Sequence, residues 1–170
     1  MKLTGYAAVF NSRSVDLGGF REVIAPGAFA RTISDGHPVF AVHHHNMANI
    51  LGSSRSQTLK LYEDGQGLHF ELYLPDSSLG NDIHTLVKRG DLTSMSFSFA
   101  VNGASGEQWR ETGSGEIERT LKDVNLFEIS TVALPAYPAS NVSARAEAHA
   151  NQAARNMMIK RAMASRLQAA

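Results

Sequence analysis

The chain contains no cysteine, which excludes a disulfide scaffold, a thiol nucleophile and a thiolate-bound metal. It also has no excess charge of either sign, because 16 lysines and arginines balance 16 aspartates and glutamates. A neutral chain exerts no global attraction on nucleic acid or on an anionic membrane. No apolar run approaches the roughly 18 to 20 residues that cross a bilayer, and residues 1–5 lack the apolar stretch of a signal peptide. We therefore expect a soluble, unexported protein that recognises its partners locally, without direct binding of nucleic acid or membrane.

The 170 residues correspond to one domain with a short extension, at roughly 150 residues per domain. Hydrophobic residues make up 43% of the chain, which is enough to build a core. The composition changes near residue 140. We place the domain at residues 1–140 and the extension at residues 141–170.

The extension is rich in alanine and basic. It holds ten alanines, no glycine and no proline, and its charges sum to +4 because five basic residues face only Glu147. Ile159, Met163 and Leu167 follow each other at intervals of four, which is typical of a helix with a narrow apolar stripe. The sequence predicts a helical tail that either packs on its own domain or serves as a docking or removable segment.

The body of the chain is rich in short, alternating segments that predict strands. The connection at residues 63–67 predicts a hairpin, and the serine at position 77 or 78 is suited to cap a helix that ends at Gly90. We therefore predict an α+β fold, strand-rich, with a partly closed antiparallel β-barrel and flanking helices. The predicted strands are 3–10, 20–24, 38–44, 50–54, 57–62, 68–74, 93–101, 117–124 and 126–134, and a further short helix is predicted at 26–33.

Three consecutive histidines, His43, His44 and His45, form the most unusual stretch of the sequence. If the segment is a strand, His43 and His45 share one face and His44 lies on the other, so the three cannot act as one metal-binding face. A metal site centred on His43 and His45 would need a third ligand from His84, Asp82 or His69. A histidine acting as general base is better supported, because an unperturbed histidine has a pKa of about 6.5.

Candidate nucleophiles lie on the strand predicted at 93–101. Alternation places Met95, Phe97 and Phe99 on one face and Ser94, Ser96 and Ser98 on the other. An apolar face anchored in the core would hold the serine face rigidly. Spacing alone does not select one of the three serines.

A third group is needed to orient the histidine, and Glu128 is a candidate on the strand predicted at 126–134. Strict alternation places Glu128 with Ser130 on one face, and Phe127 with Ile129 on the other. An isolated glutamate on a strand is more often solvent-facing, so spacing alone favours that alternative.

Taken together, these segments resemble the tailed-phage prohead maturation proteases, in the order of that family's motifs over roughly residues 4–140. The resemblance rests on residues 5–10, 22–29, 50–52 and 64–68, and on His45-Asn46, Arg89-Gly90-Asp91-Leu92, Met95-Ser96-Phe97-Ser98-Phe99, Glu128-Ile129-Ser130-x-Val132 and Pro135-Ala136-Tyr137-Pro138. The family often has aspartate after the histidine, whereas this chain has Asn46.

The resemblance implies a serine endopeptidase similar in fold to the herpesvirus assembly proteases. On the matching positions Ser96 is the nucleophile and His45 the general base. Glu128 is our choice for the orienting residue, with His43 and His44 as alternatives because the herpesvirus relatives use a second histidine. The implied partners are the major capsid protein and the scaffold protein, cut inside the immature capsid in the host cytoplasm, with self-cleavage and no cofactor or metal. A homo-oligomer stays open.

Two other function classes are compatible with parts of the sequence. One is a non-catalytic scaffolding module that keeps a protease-like fold, although the presence of Ser96 and His45 argues against it. The other is a metal hydrolase centred on His43 and His45, whose activity a chelator would abolish.

Overall fold

A computed structural model of the protein describes residues 1–145, and the predicted helix of the tail beyond residue 145 lies outside them. Strands dominate the described residues, so the strand-rich α+β prediction is confirmed. The strands are β1 (Lys2–Val9), β2 (Phe20–Ile24), β3 (Phe40–His43), β4 (Asn46–Ser53), β5 (Leu59–Glu63), β6 (Gly67–Tyr73), β7 (Ser94–Val101), β8 (Glu107–Glu111), β9 (Ile117–Leu121), β10 (Val124–Val132) and β11 (Asn141–Arg145). The helices are α1 (Ala30–Ser34) and α2 (Ser78–Arg89), with a 3₁₀ turn at Ala104–Gly106.

The strands form three hydrogen-bonded sheets. Their strand orders are β11-β1-β6-β5, β4-β3-β10-β7 and β2-β9-β8. Within the described residues no single sheet closes into a barrel, and the pairs β3–β10 and β2–β9 are parallel. The predicted partly closed antiparallel barrel is therefore not confirmed, and two of the strand pairs run parallel instead.

One hydrophobic core joins the inner faces of the two four-stranded sheets. Leu3 and Phe70 are fully buried on the first sheet, and Met95 and Ile129 are buried on the second. Helix α2 adds Ile83 to the same cluster. Each such side chain stabilises the fold by about 1.5 to 3 kcal/mol relative to its exposed state.

Both ends of helix α2 are encoded locally. The Ser77 hydroxyl accepts a hydrogen bond from the Gly80 N–H. Gly90 ends the helix at a φ of +82°, and its N–H donates to carbonyl oxygens of the last helical turn. These are the capping residues that the sequence predicts. Neither helix of the described residues is long and apolar enough to cross a membrane.

The segment after residue 140 begins as a strand, which corrects the predicted domain boundary. Strand β11 pairs antiparallel with β1, and Val142 is buried opposite Gly5. A Cβ on Gly5 would lie 2.1 Å from the Asn141 carbonyl oxygen, so this close approach of two strands requires glycine. Residues 141–145 therefore belong to the domain and are not helical.

Candidate active site

The second and third histidines of the triplet form a tight turn between β3 and β4. His44 and His45 have φ values of +51° and +56°, and His43 pairs with Asn46 across the hairpin. Two consecutive residues with positive φ are typical of a type I′ turn, in which asparagine and glycine are favoured. The strand alternation considered for His43 and His45 therefore does not apply, because β3 ends at His43 and the chain reverses direction at His44 and His45.

Strand β10 holds this turn in place through three contacts. The His45 N–H donates to the Ser130 hydroxyl at 2.7 Å, and the His44 N–H donates to the Thr131 carbonyl oxygen at 3.1 Å. The His43 Nδ1 atom lies 2.9 Å from the Thr131 hydroxyl. Backbone in the left-handed region persists where surrounding contacts fix it, and here those contacts also fix the position of His45.

His45 meets a buried carboxylate on β10. Its Nδ1 atom lies 2.6 Å from Glu128 Oε1, and the two side chains are 42% and 5% exposed, respectively. The other carboxylate oxygen, Oε2, is buried and accepts no hydrogen bond from the described residues. A carboxylate on Nδ1 selects the tautomer with its proton on Nδ1 and leaves Nε2 free to accept a proton.

A β-bulge at Phe127 turns Glu128 toward this site. Leu126 pairs with Phe99 of β7, and Glu128 pairs with the adjacent residue, Ser98, so Phe127 is the extra residue. The bulge moves the even-numbered residues of β10 from the core face to the serine face. Phe127 is 47% exposed, whereas Ile129 is fully buried, so the prediction that these two share a face is wrong.

The serine face of β7 lies against the same part of β10. Ser96 pairs with Ser130 and Ser98 pairs with Glu128 across the two strands. The Ser98 hydroxyl donates to Glu128 Oε1 and lies 3.3 Å from His45 Nδ1. Ser96 is 9% exposed, and no hydrogen bond joins it to His45 within the described residues.

The structure thus brings His45, Glu128 and Ser98 into direct contact and leaves Ser96 two residues away on the same face of β7. Sequence reasoning includes Ser98 only as one of three serines, and it assigns no separate role to Ser130. The only sequence signal for either residue is its position on the same strand face as Ser96 or Glu128.

In the described part of the chain, neither His43 nor His44 forms a hydrogen bond with the His45 side chain. The His43 and His44 rings lie 4.3 Å apart in an edge-to-face arrangement. Burial, together with the neighbouring His44, lowers the pKa of His43. Asn46, which stands where the resembling family often has aspartate, accepts a hydrogen bond from the Ala48 N–H at 2.9 Å and is exposed.

Residues 1–145 contain no group of three or more histidine, aspartate or glutamate side chains placed to hold a metal ion. His69 is one of the residues considered as a third metal ligand. It contacts Thr4 and the Tyr62 ring on the sheet β11-β1-β6-β5, whereas His43 lies on the sheet that contains β10.

A buried polar network supports β7 from its core side. The Phe97 ring, between Ser96 and Ser98 in sequence, stacks on the Tyr137 ring with centroids 5.1 Å apart. The Tyr137 hydroxyl donates to Glu22, and Arg119 donates to the second oxygen of Glu22 at 2.8 Å. Burial raises the pKa of Glu22, and burial together with Glu22 raises the pKa of Tyr137.

The strained turn leads to a stability prediction. Replacing His44 by asparagine should raise the free energy of unfolding by about 0.5 to 1 kcal/mol, because asparagine adopts positive φ more readily. Urea unfolding followed by circular dichroism measures the change. The matched control is His37→Asn, an exposed histidine whose φ is not positive, which should leave stability unchanged. Equal effects of the two substitutions would contradict the explanation by turn strain.

Comparison with family models matches residues 1–155 to the family described as caudovirus prohead serine protease. Among solved structures, the chain is similar to KSHV protease in complex with a hexapeptide phosphonate inhibitor. The two share 14% sequence identity with a TM-score of 0.42, over 83% of this chain and 63% of that chain. This chain therefore spans less than two thirds of the length of that protease. No curated protein sequence matches the chain.

Proposed function

We propose, from the premise that the chain belongs to the caudovirus prohead serine protease family, that it is a serine endopeptidase using Ser96, His45 and Glu128. The observation that carries the assignment is the 2.6 Å contact between His45 Nδ1 and the buried Glu128 carboxylate, beside the serine face of β7. An imidazole oriented by a buried carboxylate next to a row of serines is the arrangement that nucleophilic catalysis needs.

The choice among the serines follows from the two ring nitrogens of His45. Nδ1 carries the ring proton and donates a hydrogen bond to Glu128, so it has no lone pair with which to accept a proton from a serine. Ser98 lies on this Nδ1 side and therefore cannot pass its proton to the histidine. Ser96 lies on the same face, opposite Ser130, whose hydroxyl accepts a hydrogen bond from the His45 N–H. We therefore assign Ser96 as the serine that gives its proton to Nε2. Contacts between nucleophile and base are often looser in the free enzyme than in the substrate complex.

The proposed reaction proceeds by acyl transfer to Ser96. Ser96 Oγ attacks the scissile carbonyl carbon while His45 Nε2 takes the hydroxyl proton. The protonated His45, stabilised by Glu128, returns this proton to the leaving amine as the peptide bond breaks. Water, deprotonated by His45 in the same way, attacks the acyl-enzyme and releases Ser96. No metal or cofactor takes part in these steps.

We assign as substrates the major capsid protein or the scaffold protein, cut inside the immature capsid in the host cytoplasm, together with the chain itself. The family to which the chain belongs supports this assignment. An extended substrate segment would add to a sheet edge, where main-chain hydrogen bonds provide affinity and side-chain pockets provide specificity. The basic segment from residue 146 is proposed to dock the enzyme in the assembling shell or to be removed by self-cleavage.

The test is the intact mass over time of purified wild type, Ser96→Ala and Ser94→Ala, each alone and mixed with the cognate major capsid protein. Ser94 is the matched control, because it lies on the same strand face opposite Val132. We expect wild type and Ser94→Ala to trim the capsid protein or themselves, and Ser96→Ala to stay inert.

Each other outcome identifies a different alternative. Cleavage by Ser96→Ala at the wild-type rate would move the nucleophile away from Ser96, and loss of that cleavage on adding a chelator would indicate a metal hydrolase. Absence of cleavage by wild type under assembly conditions would favour a non-catalytic scaffolding module.

A further inference from the structure

The Glu128 carboxylate is held by very few donors for a buried charged group. Its side chain is 5% exposed, and both hydrogen bonds to it converge on Oε1, one from His45 Nδ1 and one from the Ser98 hydroxyl. Oε2 receives none from the described residues. Within that part of the chain, Ser98 is therefore the only side chain besides the histidine itself that fixes the orientation of the carboxylate.

The strand geometry makes this contact rigid. Ser98 lies directly opposite Glu128 in the β7–β10 pair, immediately after the bulge at Phe127. Directly paired residues have Cβ atoms about 4.5 to 5.5 Å apart, so a short serine hydroxyl reaches the carboxylate without moving either backbone. The bulge and the cross-strand serine thus act together: the bulge turns Glu128 to the serine face, and Ser98 holds it there.

We propose that Ser98 is a positioning residue whose hydroxyl fixes the Glu128 carboxylate against His45 Nδ1. This inference rests on the proposed protease function. Ser98 contacts neither the scissile bond nor the base nitrogen, and it acts through Glu128 on the tautomer and orientation of the His45 ring. Without it, only the hydrogen bond with His45 Nδ1 restrains the last torsion of the carboxylate, and the Nδ1–H tautomer loses part of its stabilisation.

The experiment compares wild type with Ser98→Ala, Ser98→Thr and the control Ser94→Ala. Ser98→Ala should lower kcat by about 10-fold to 100-fold, the usual effect of losing a hydrogen bond to a charged group, with KM within about twofold. Ser98→Thr keeps a hydroxyl on the strand and should restore most of the activity. Ser94→Ala should match wild type.

Two further readouts separate positioning from other roles. A fluorophosphonate probe should still label Ser98→Ala to full stoichiometry at Ser96, only more slowly, because the nucleophile is intact. Nitrogen-15 NMR of the neutral His45 ring should show the Nδ1–H tautomer in wild type and an increased share of the Nε2–H tautomer in Ser98→Ala. A merely structural serine would change neither the tautomer nor the rate of labelling.

Failure of this inference and failure of the proposed function give different results. If wild type cleaves and labels, but Ser98→Ala matches it in kcat and tautomer, Ser98 is not a positioning residue and the protease assignment stands. If Ser98→Ala loses labelling completely, Ser98 is the nucleophile and the inference is overturned. If wild type neither cleaves nor labels, the function fails, and the His45 tautomer in Ser98→Ala still decides whether Ser98 fixes the Glu128–His45 pair.

Discussion

Replacing Glu128 by glutamine should lower kcat by about 10⁴-fold while leaving KM within about twofold. In the proposed mechanism the carboxylate accepts a hydrogen bond from the Nδ1–H of His45, and it stabilises the imidazolium that forms when His45 takes the Ser96 proton. An amide carries no charge for the second task. Its NH₂ group is also able to donate to Nδ1, which would place the ring proton on Nε2 and block the base.

Activity on a capsid-derived peptide and labelling by a fluorophosphonate should fall together in Glu128→Gln. The matched control is Glu118→Gln, because Glu118 is also a buried carboxylate but lies on β9, where Arg13 and Arg110 hold it. The control should reduce stability without lowering kcat. If Glu128→Gln keeps the wild-type kcat, the orienting group is not Glu128, and the variants His43→Gln and His44→Asn then test the alternatives.

The elements that sequence reasoning predicted well are those encoded by neighbouring residues. Helix α2 has its cap at Ser77 and its stop at Gly90, and the hairpin between β5 and β6 has its turn residues between the two strands. The family itself was predicted from an ordered set of local motifs, and the match over residues 1–155 confirms it. Local signals suffice where the physical cause of the structure lies within a few residues.

The errors arise where partners distant in sequence decide the structure. Asn141–Arg145 lies in an alanine-rich stretch that favours a helix, but pairing with Lys2–Val9 makes it a strand. The bulge at Phe127 is defined by how β10 pairs with β7. Alternation within the sequence of β10 alone therefore places Phe127 on the wrong face.

The candidate site was predictable in its residue types but not in its geometry. His45 and Glu128 come into contact because β3 and β10 pair in parallel, a pairing between segments more than 80 residues apart. Nothing in the triplet of histidines signals a turn with two positive φ values, since glycine is absent from it. Spacing also cannot distinguish Ser96 from Ser98, because the contact between the Ser98 hydroxyl and His45 Nδ1 at 3.3 Å arises only when the two segments fold together.

Replacing Arg119 by methionine should lower the free energy of unfolding by about 3 to 5 kcal/mol. Arg119 donates to Glu22 at 2.8 Å and to Glu107 at 2.5 Å, so its removal leaves Glu22, which is 3% exposed, without its counter-charge. Methionine keeps most of the apolar contact that the arginine stem makes. A loss of this size is a large part of the roughly 5 to 15 kcal/mol that stabilises a typical domain. Urea unfolding followed by circular dichroism measures it.

The pH dependence of the loss identifies Glu22 as its cause. Burial raises the pKa of Glu22 in the folded state above that in the unfolded state, and removal of Arg119 raises it further. The folded protein then binds the proton more tightly than the unfolded chain, so the stability of Arg119→Met should rise as the pH falls from 7 toward 5.

Adding Glu22→Gln should recover much of the loss at neutral pH, because an amide needs no counter-charge. Arg89→Met, which breaks an exposed pair with Asp91, should change stability by no more than about 0.5 kcal/mol. If Arg119→Met behaves like Arg89→Met, the buried network does not stabilise the domain, and the stacking of Tyr137 on Phe97 depends on packing alone.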